Sequence, residues 1–116
     1  MKTSVPHRKF IAVIKMVPKG KVATYGLIAR VAGLPGHARQ VVWTLHSSTK
    51  KYKLPWHRII NSQGKIGLIR DLDYLQQKTL LEKEGVEFDR YGKVDLKIFL
   101  WKPKMSAVRK VLKKIK

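Results

Sequence analysis

A chain of 116 residues is the size of one domain, and its 44% apolar residues are enough for one core, which argues against wholesale disorder. Twenty-six Lys and Arg against seven Asp and Glu give a formal net charge of +19. A compact fold tolerates such charge best beside a polyanion, so nucleic acid is the expected partner, with a solubilising coat or a membrane-surface protein as the bland alternative. The absence of cysteine excludes disulfides, thiolate zinc sites, iron–sulfur clusters and any cysteine nucleophile.

All seven acids lie between Asp71 and Asp95, so one half of the molecule is expected to present a basic surface. No apolar run approaches the roughly 20 residues of a membrane span, and the N-terminus has no signal-peptide pattern. The expected location is the cytoplasm, associated with the nucleoid, or the nucleus of a eukaryote.

Phe10, Val13, Ile14 and Val17 recur at helical spacing behind Thr3 or Ser4 and Pro6, and Pro18 stops them, which predicts a first amphipathic helix. After a turn at Lys19-Gly20-Lys21, Thr24 caps a short helix with Leu27, Ile28 and Val31 inward, ending at Gly33. Pro35-Gly36 breaks the chain. From His37, the stripe Ala38, Val41, Val42 and Leu45 predicts a third helix to about Ser47, and two helices about a glycine-containing turn predict a helix-turn-helix. Thr49 to Leu54 reads as a polar surface loop.

Trp56 to Ile60 reads as a buried turn or short strand. With the turn Asn61-Ser62-Gln63-Gly64 and a second strand through Ile66 and Leu68 it would form a small wing. Leu72, Leu75, Leu80 and Leu81 predict a helix from Asp71 to Glu84, closed by Gly85. Val86 to Phe88 and Lys93 to Phe99 read as strands or extended tail, ended by Pro103. From Ser106 to Lys116, Val108, Val111, Leu112 and Ile115 alternate with Arg109, Lys110, Lys113 and Lys114. Such a segment can be a disordered arm, a phosphate-binding helix or a membrane-surface helix, and the rest of the chain favours a contact with DNA. The expected fold is mainly α with a small β element: a winged helix-turn-helix DNA-binding domain over 1–104 and a basic tail over 105–116.

Three ordered motifs carry the chemistry: Lys19-Gly20-Lys21-Val22-Ala23-Thr24-Tyr25-Gly26, Ala38-Arg39-Gln40-Val41, and Pro55-Trp56-His57-Arg58-Ile59-Ile60-Asn61. Together they resemble the DNA-binding domain of O6-alkylguanine-DNA alkyltransferases from about Phe10 to Gly85, and Leu100-Trp101-Lys102-Pro103 is similar to the end of such proteins. Those enzymes carry Pro-Cys-His-Arg, and here Trp56 stands in the cysteine's place. That substitution resembles the alkyltransferase-like proteins, non-enzymatic relatives that bind the lesion and recruit nucleotide excision repair.

Alkyl transfer needs a soft, ionisable nucleophile, which an indole is not. The indole does offer a flat π-face and one N–H donor, suited to packing on a flipped base. The resemblance places Pro55, Trp56 and His57 at the lesion pocket, and leaves His57 and Glu84 as the structural remnant of a proton relay. It makes Tyr25 the group that crowds the target phosphate, and Arg39 the group that fills the vacated stack, where a planar guanidinium can stack and donate. Thr24, Ala38, Gln40 and Trp43 join these on the DNA-binding surface. Helical spacing separately puts Arg39, Trp43 and His46 on one face, away from the apolar stripe.

Two departures stand out. Val42 and Trp43 occupy positions where the family has small residues that admit the helix deep into the minor groove. Arg70-Asp71 resembles the Arg-Asp pair in which the arginine lies over the flipped base as a cation–π partner, with one extra residue between it and Trp56. No cofactor is expected, and His7, His37 and His46 show no metal-ligand spacing. The implied function is binding of O6-alkylguanine in duplex DNA by minor-groove docking and nucleotide flipping, as a monomer and without catalysis, flagging the lesion for nucleotide excision repair. A winged-helix regulator without lesion specificity and a DNA-modifying enzyme using a group other than cysteine are the alternatives.

Overall fold

The structure, a computed structural model, describes residues 4–67 and 71–115, apart from the side chains of Asp71 and Leu72. Helix α1 spans Val5–Met16. Ser4 caps it by accepting from the His7 amide at 3.3 Å, Pro6 lies in the first turn where its missing N–H costs nothing, and Pro18 follows the end. Thr3, the other predicted cap, lies outside the described residues. Strand β1 (Ala23–Thr24) runs directly into α2 (Tyr25–Val31), whose cap is the Thr24 hydroxyl accepting from Leu27 N at 3.0 Å. Gly33, at φ +83°, turns the chain toward α3 (Ala38–Tyr52).

Helix α3 is longer than its apolar spacing predicts. The run Thr49 to Tyr52 is helical, not loop, because nothing in it breaks a helix; Lys53 ends it in the left-handed conformation at φ 53°, and Leu54 is buried. Its buried positions are Val41, Thr44 and Ser48, with the predicted Ala38, Val42 and Leu45 only half-buried. His7 explains how two hydroxyls can face inward. Its Nε2 lies 2.6 Å from Ser48 Oγ and its Nδ1 3.1 Å from Thr44 Oγ1. The Thr44 hydroxyl already donates to the Gln40 carbonyl at 3.0 Å, so its oxygen accepts from Nδ1–H, and Nε2 is left to accept from Ser48. Burial lowers the His7 pKa, in keeping with this neutral ring. One imidazole thus fixes the rotation of α3 against α1.

A 3-10 turn at Trp56–Arg58 leads into β2 (Ile59–Ile60). This strand pairs in parallel with β1, Ala23 opposite Ile59 and Thr24 opposite Ile60, instead of forming a hairpin with the following segment. Asn61 to Lys65 does make the predicted tight turn, held by Asn61 Oδ1 accepting from Gln63 N and Lys65 N, but Ile66 and Gly67 are not strand, and Leu68 lies outside the described residues. Gly64 (φ +80°) is required there, because a Cβ would stand 2.6 Å from the Val94 carbonyl oxygen.

Helix α4 covers Asp71–Lys83. Leucine spacing finds only part of its inner face: Leu81 is fully buried and Leu80 half-buried, but Leu75 is exposed, while Gln77 is buried, its Nε2 donating to the His57 and Ile59 carbonyls at 3.0 Å each. The region read as strands or tail holds only the isolated bridges Lys65–Lys93 and Phe88–Val94, followed by α5 (Leu96–Phe99), which Asp95 caps. Val22 then receives the closing segment, donating to Phe99 O at 2.9 Å and accepting from Trp101 N at 2.8 Å. The basic segment is helix α6 (Met105–Lys113), seated on α1 with Val108 fully buried.

Strand alternation explains how the molecule is divided. Successive side chains of a strand face opposite ways. Ala23 and Ile59 enter a core built on α1, α2, α3 and α6, while Val22 and Ile60 enter a second core with Ile66, Leu81, Val86 and Val94. The parallel pair is therefore the partition between two cores, and the turn that carries Trp56 lies immediately before it.

Candidate nucleic-acid interface

Leu54 and Pro55 deliver the chain from the end of α3 into the Trp56–Arg58 turn, where Trp56 N donates to Leu54 O at 2.8 Å and Arg58 N to Pro55 O at 3.0 Å. Beneath that turn Glu84 collects its donors. Arg58 grips it with two parallel bonds, Nε to Oε1 at 3.0 Å and Nη2 to Oε2 at 2.8 Å. His57 Nε2 is 2.9 Å from Oε2, and Gly20 N donates to Oε1 at 3.2 Å. Arg58 also ties Nη1 to the Val17 carbonyl at 2.9 Å. The Arg58 fork is the main reason the Glu84 carboxyl sits at about 2, helped by His57 and Gly20 against the opposing effect of burial. The expected His57–Glu84 pair is present, as one edge of a larger arginine-centred clamp.

Above the turn lies a cavity of about 650 Å³, within the roughly 300–1,000 Å³ range of small-molecule sites. Trp56 and Tyr25 both line it, Trp56 half-buried with its indole meeting the His57 ring edge-on at 81° and 6.2 Å between centroids. The α3 wall is Val42, Leu45, His46 and Thr49, so Val42 borders the cavity and does not point into the core. Asn61, Asp73 and Gln76 supply polar atoms on the other side. Thr49 escaped sequence reasoning because α3 was expected to end at Ser47; the α4 residues escaped because leucine spacing hid that helix's true face. Arg70 lies outside the described residues, and Gly67 and Asp73, on either side of it in sequence, both border the cavity.

Tyr25 opens α2, half-buried against the helical core, and its burial raises the phenol pKa. Thr24 spends its side chain on the cap and is held by β1. Along α3, Ala38 is half-buried while Arg39, Gln40, Trp43 and His46 are exposed, and Arg39 has no ion pair among the described residues. The exposed face of α3 and the mouth of the cavity thus share one helix. No acid from 4–67 opposes them, since the chain has none there. Among the described residues no three His, Asp or Glu are grouped to hold a metal, and no helix is long and apolar enough to cross a membrane.

Residues 6–86 match the family described as 6-O-methylguanine DNA methyltransferase, DNA binding domain. A DNA base-flipping protein of Vibrio parahaemolyticus is 52% identical over 96 residues, covering 82% of this chain and 94% of its own. Alkyltransferase-like protein 1 of Schizosaccharomyces pombe is 43% identical over 93 residues, covering 75% and 85% respectively. The crystal structure of S. pombe Atl1 in complex with damaged DNA containing O6-carboxymethylguanine superposes with a TM-score of 0.73 at 38% identity, over 89% of this chain and all of that one.

Proposed function

The chain belongs to the family of 6-O-methylguanine DNA methyltransferase DNA-binding domains, and we propose that it is a non-enzymatic member that recognises damaged DNA by base flipping. The observation that carries this is the cavity beside α3, walled at the turn by Trp56 in a chain without cysteine. The His57–Glu84–Arg58 clamp has no thiol to activate, so it serves to hold the Trp56 turn in place.

In this reading α3 docks in the minor groove and Tyr25 crowds the phosphate beside the target. Arg39 fills the vacated stack, the extruded O6-alkylguanine lies against Trp56, and Arg70 covers it as a cation–π partner. Thr24, Ala38 and Gln40 complete the DNA contact. The base stays alkylated, so a separate excision activity must remove it; nucleotide excision repair is the pathway proposed, with this protein acting as a monomer where the genome lies, in the nucleoid or nucleus.

A binding comparison of O6-methylguanine with guanine in one duplex at fixed salt tests the reading. The damaged duplex should bind more tightly, and label on the methyl group should stay on the DNA. Arg39→Ala should weaken binding to both duplexes. Arg70→Ala should lower only the damaged-to-intact ratio, by roughly 2- to 30-fold, the range of a cation–π contact of about 0.5–2 kcal/mol. Preference for one undamaged sequence would make the protein a regulator, and a base altered during incubation would make it an enzyme.

A further inference from the structure

Trp43 is the feature of the DNA-facing helix that flipping does not use. Its side chain is 67% exposed, whereas Trp56 is half-buried and Trp101 lies in the core. It sits in the middle of α3, whose other side is anchored by Val41 and by Thr44 and Ser48 on His7. The indole is therefore presented by a rigid element, among exposed Arg39, Gln40 and His46 and in a stretch of chain without acids.

Spacing decides what it can reach. Trp43 is four positions on from Arg39, which at 1.5 Å per residue is about 6 Å along the helix. Base pairs stack about 3.4 Å apart. With α3 laid along the duplex, Trp43 reaches roughly two base steps beyond the gap that Arg39 fills. A large uncharged ring gains at most one N–H bond from phosphates, but in a minor groove an apolar side chain can enter a base step, unstack it and kink the helix by roughly 20–90°.

We propose that Trp43 is a second wedge, entering the minor groove about two base steps from the flipped nucleotide and kinking the DNA there. This rests on the reading of α3 as a minor-groove helix.

The test is a duplex carrying one O6-methylguanine, end-labelled for energy transfer, with its intact counterpart, bound by the wild type, Trp43→Phe and Trp43→Gln. Because Trp43 is solvent-exposed, both variants should melt as the wild type does. Trp43→Gln should lower the bend angle and weaken binding to both duplexes about tenfold, and Trp43→Phe should restore most of both. An unchanged bend, equal or tighter binding by Trp43→Gln, or loss of lesion preference alone would overturn the wedge. If the wild type itself does not prefer the damaged duplex, the reading on which the wedge rests fails instead.

Discussion

At the scale of single residues, Glu84 is the point at which the Trp56 turn is tied down. Its carboxylate satisfies Arg58 twice, His57 once and the Gly20 amide, so it joins the Trp56 turn to the end of α4 and to the loop after α1. Glu84→Ala leaves a largely buried guanidinium without its partner and should cost roughly 3 kcal/mol in a urea melt. The pH dependence follows from the folded carboxyl at about 2 against an ordinary 4.5. A depressed carboxyl adds stability that is complete above 4.5 and is lost as pH falls toward 2. Wild type should therefore show that loss over the window, and Glu84→Gln should be flatter across it in acid-denaturation curves. The sequence exposed the His57–Glu84 pair only through resemblance. Arg58 and Gln77 were invisible as partners, since no periodicity encodes contacts 26 and 18 residues apart.

At the scale of elements, local signals served best where a cap or breaker acts within one turn. Ser4 and Thr24 cap α1 and α2 as expected, and Gly85 closes α4 at φ +93°. Helix α3 ran past its apolar stripe because nothing from Thr49 to Tyr52 breaks a helix, and its inner face takes in Thr44 and Ser48 because His7, 37 residues before Thr44, pairs with both hydroxyls. Helix α6 is both packed on the core and basic on its exposed side. Val108 is fully buried in the α1–α3 core, so Val108→Ala, removing about two methylene equivalents, should cost about 2 kcal/mol in thermal or urea unfolding. Changing exposed Arg109, Lys110, Lys113 and Lys114 to Gln should leave stability nearly intact and reduce the salt dependence of DNA binding while preserving lesion preference. Unchanged salt dependence in that variant would remove α6 from the DNA contact.

At the scale of the whole molecule, +19 implies release of condensed counterions on binding. With about 6–10 phosphate contacts, affinity should fall roughly 10³- to 10⁵-fold between 50 and 200 mM salt, measurable by anisotropy titration; a flat response would assign the charge another purpose. Several of the few acids serve local structure. Glu84 is in the clamp, Asp89 accepts from the Tyr91 and Lys93 amides, and Asp95 caps α5. Composition, the three motifs and the missing cysteine were enough by themselves to determine the partner class, the family and the loss of alkyl transfer, because they depend on residue identity and short spacing. Only the tertiary structure decided that Ile59–Ile60 pairs in parallel with Ala23–Thr24, that Gln77 supports the turn, and that Val42, Thr49 and Asp73 border the cavity with Trp56. Those are meetings of segments distant in the chain, selected by how two cores pack on either side of a two-residue strand, and no local pattern records them.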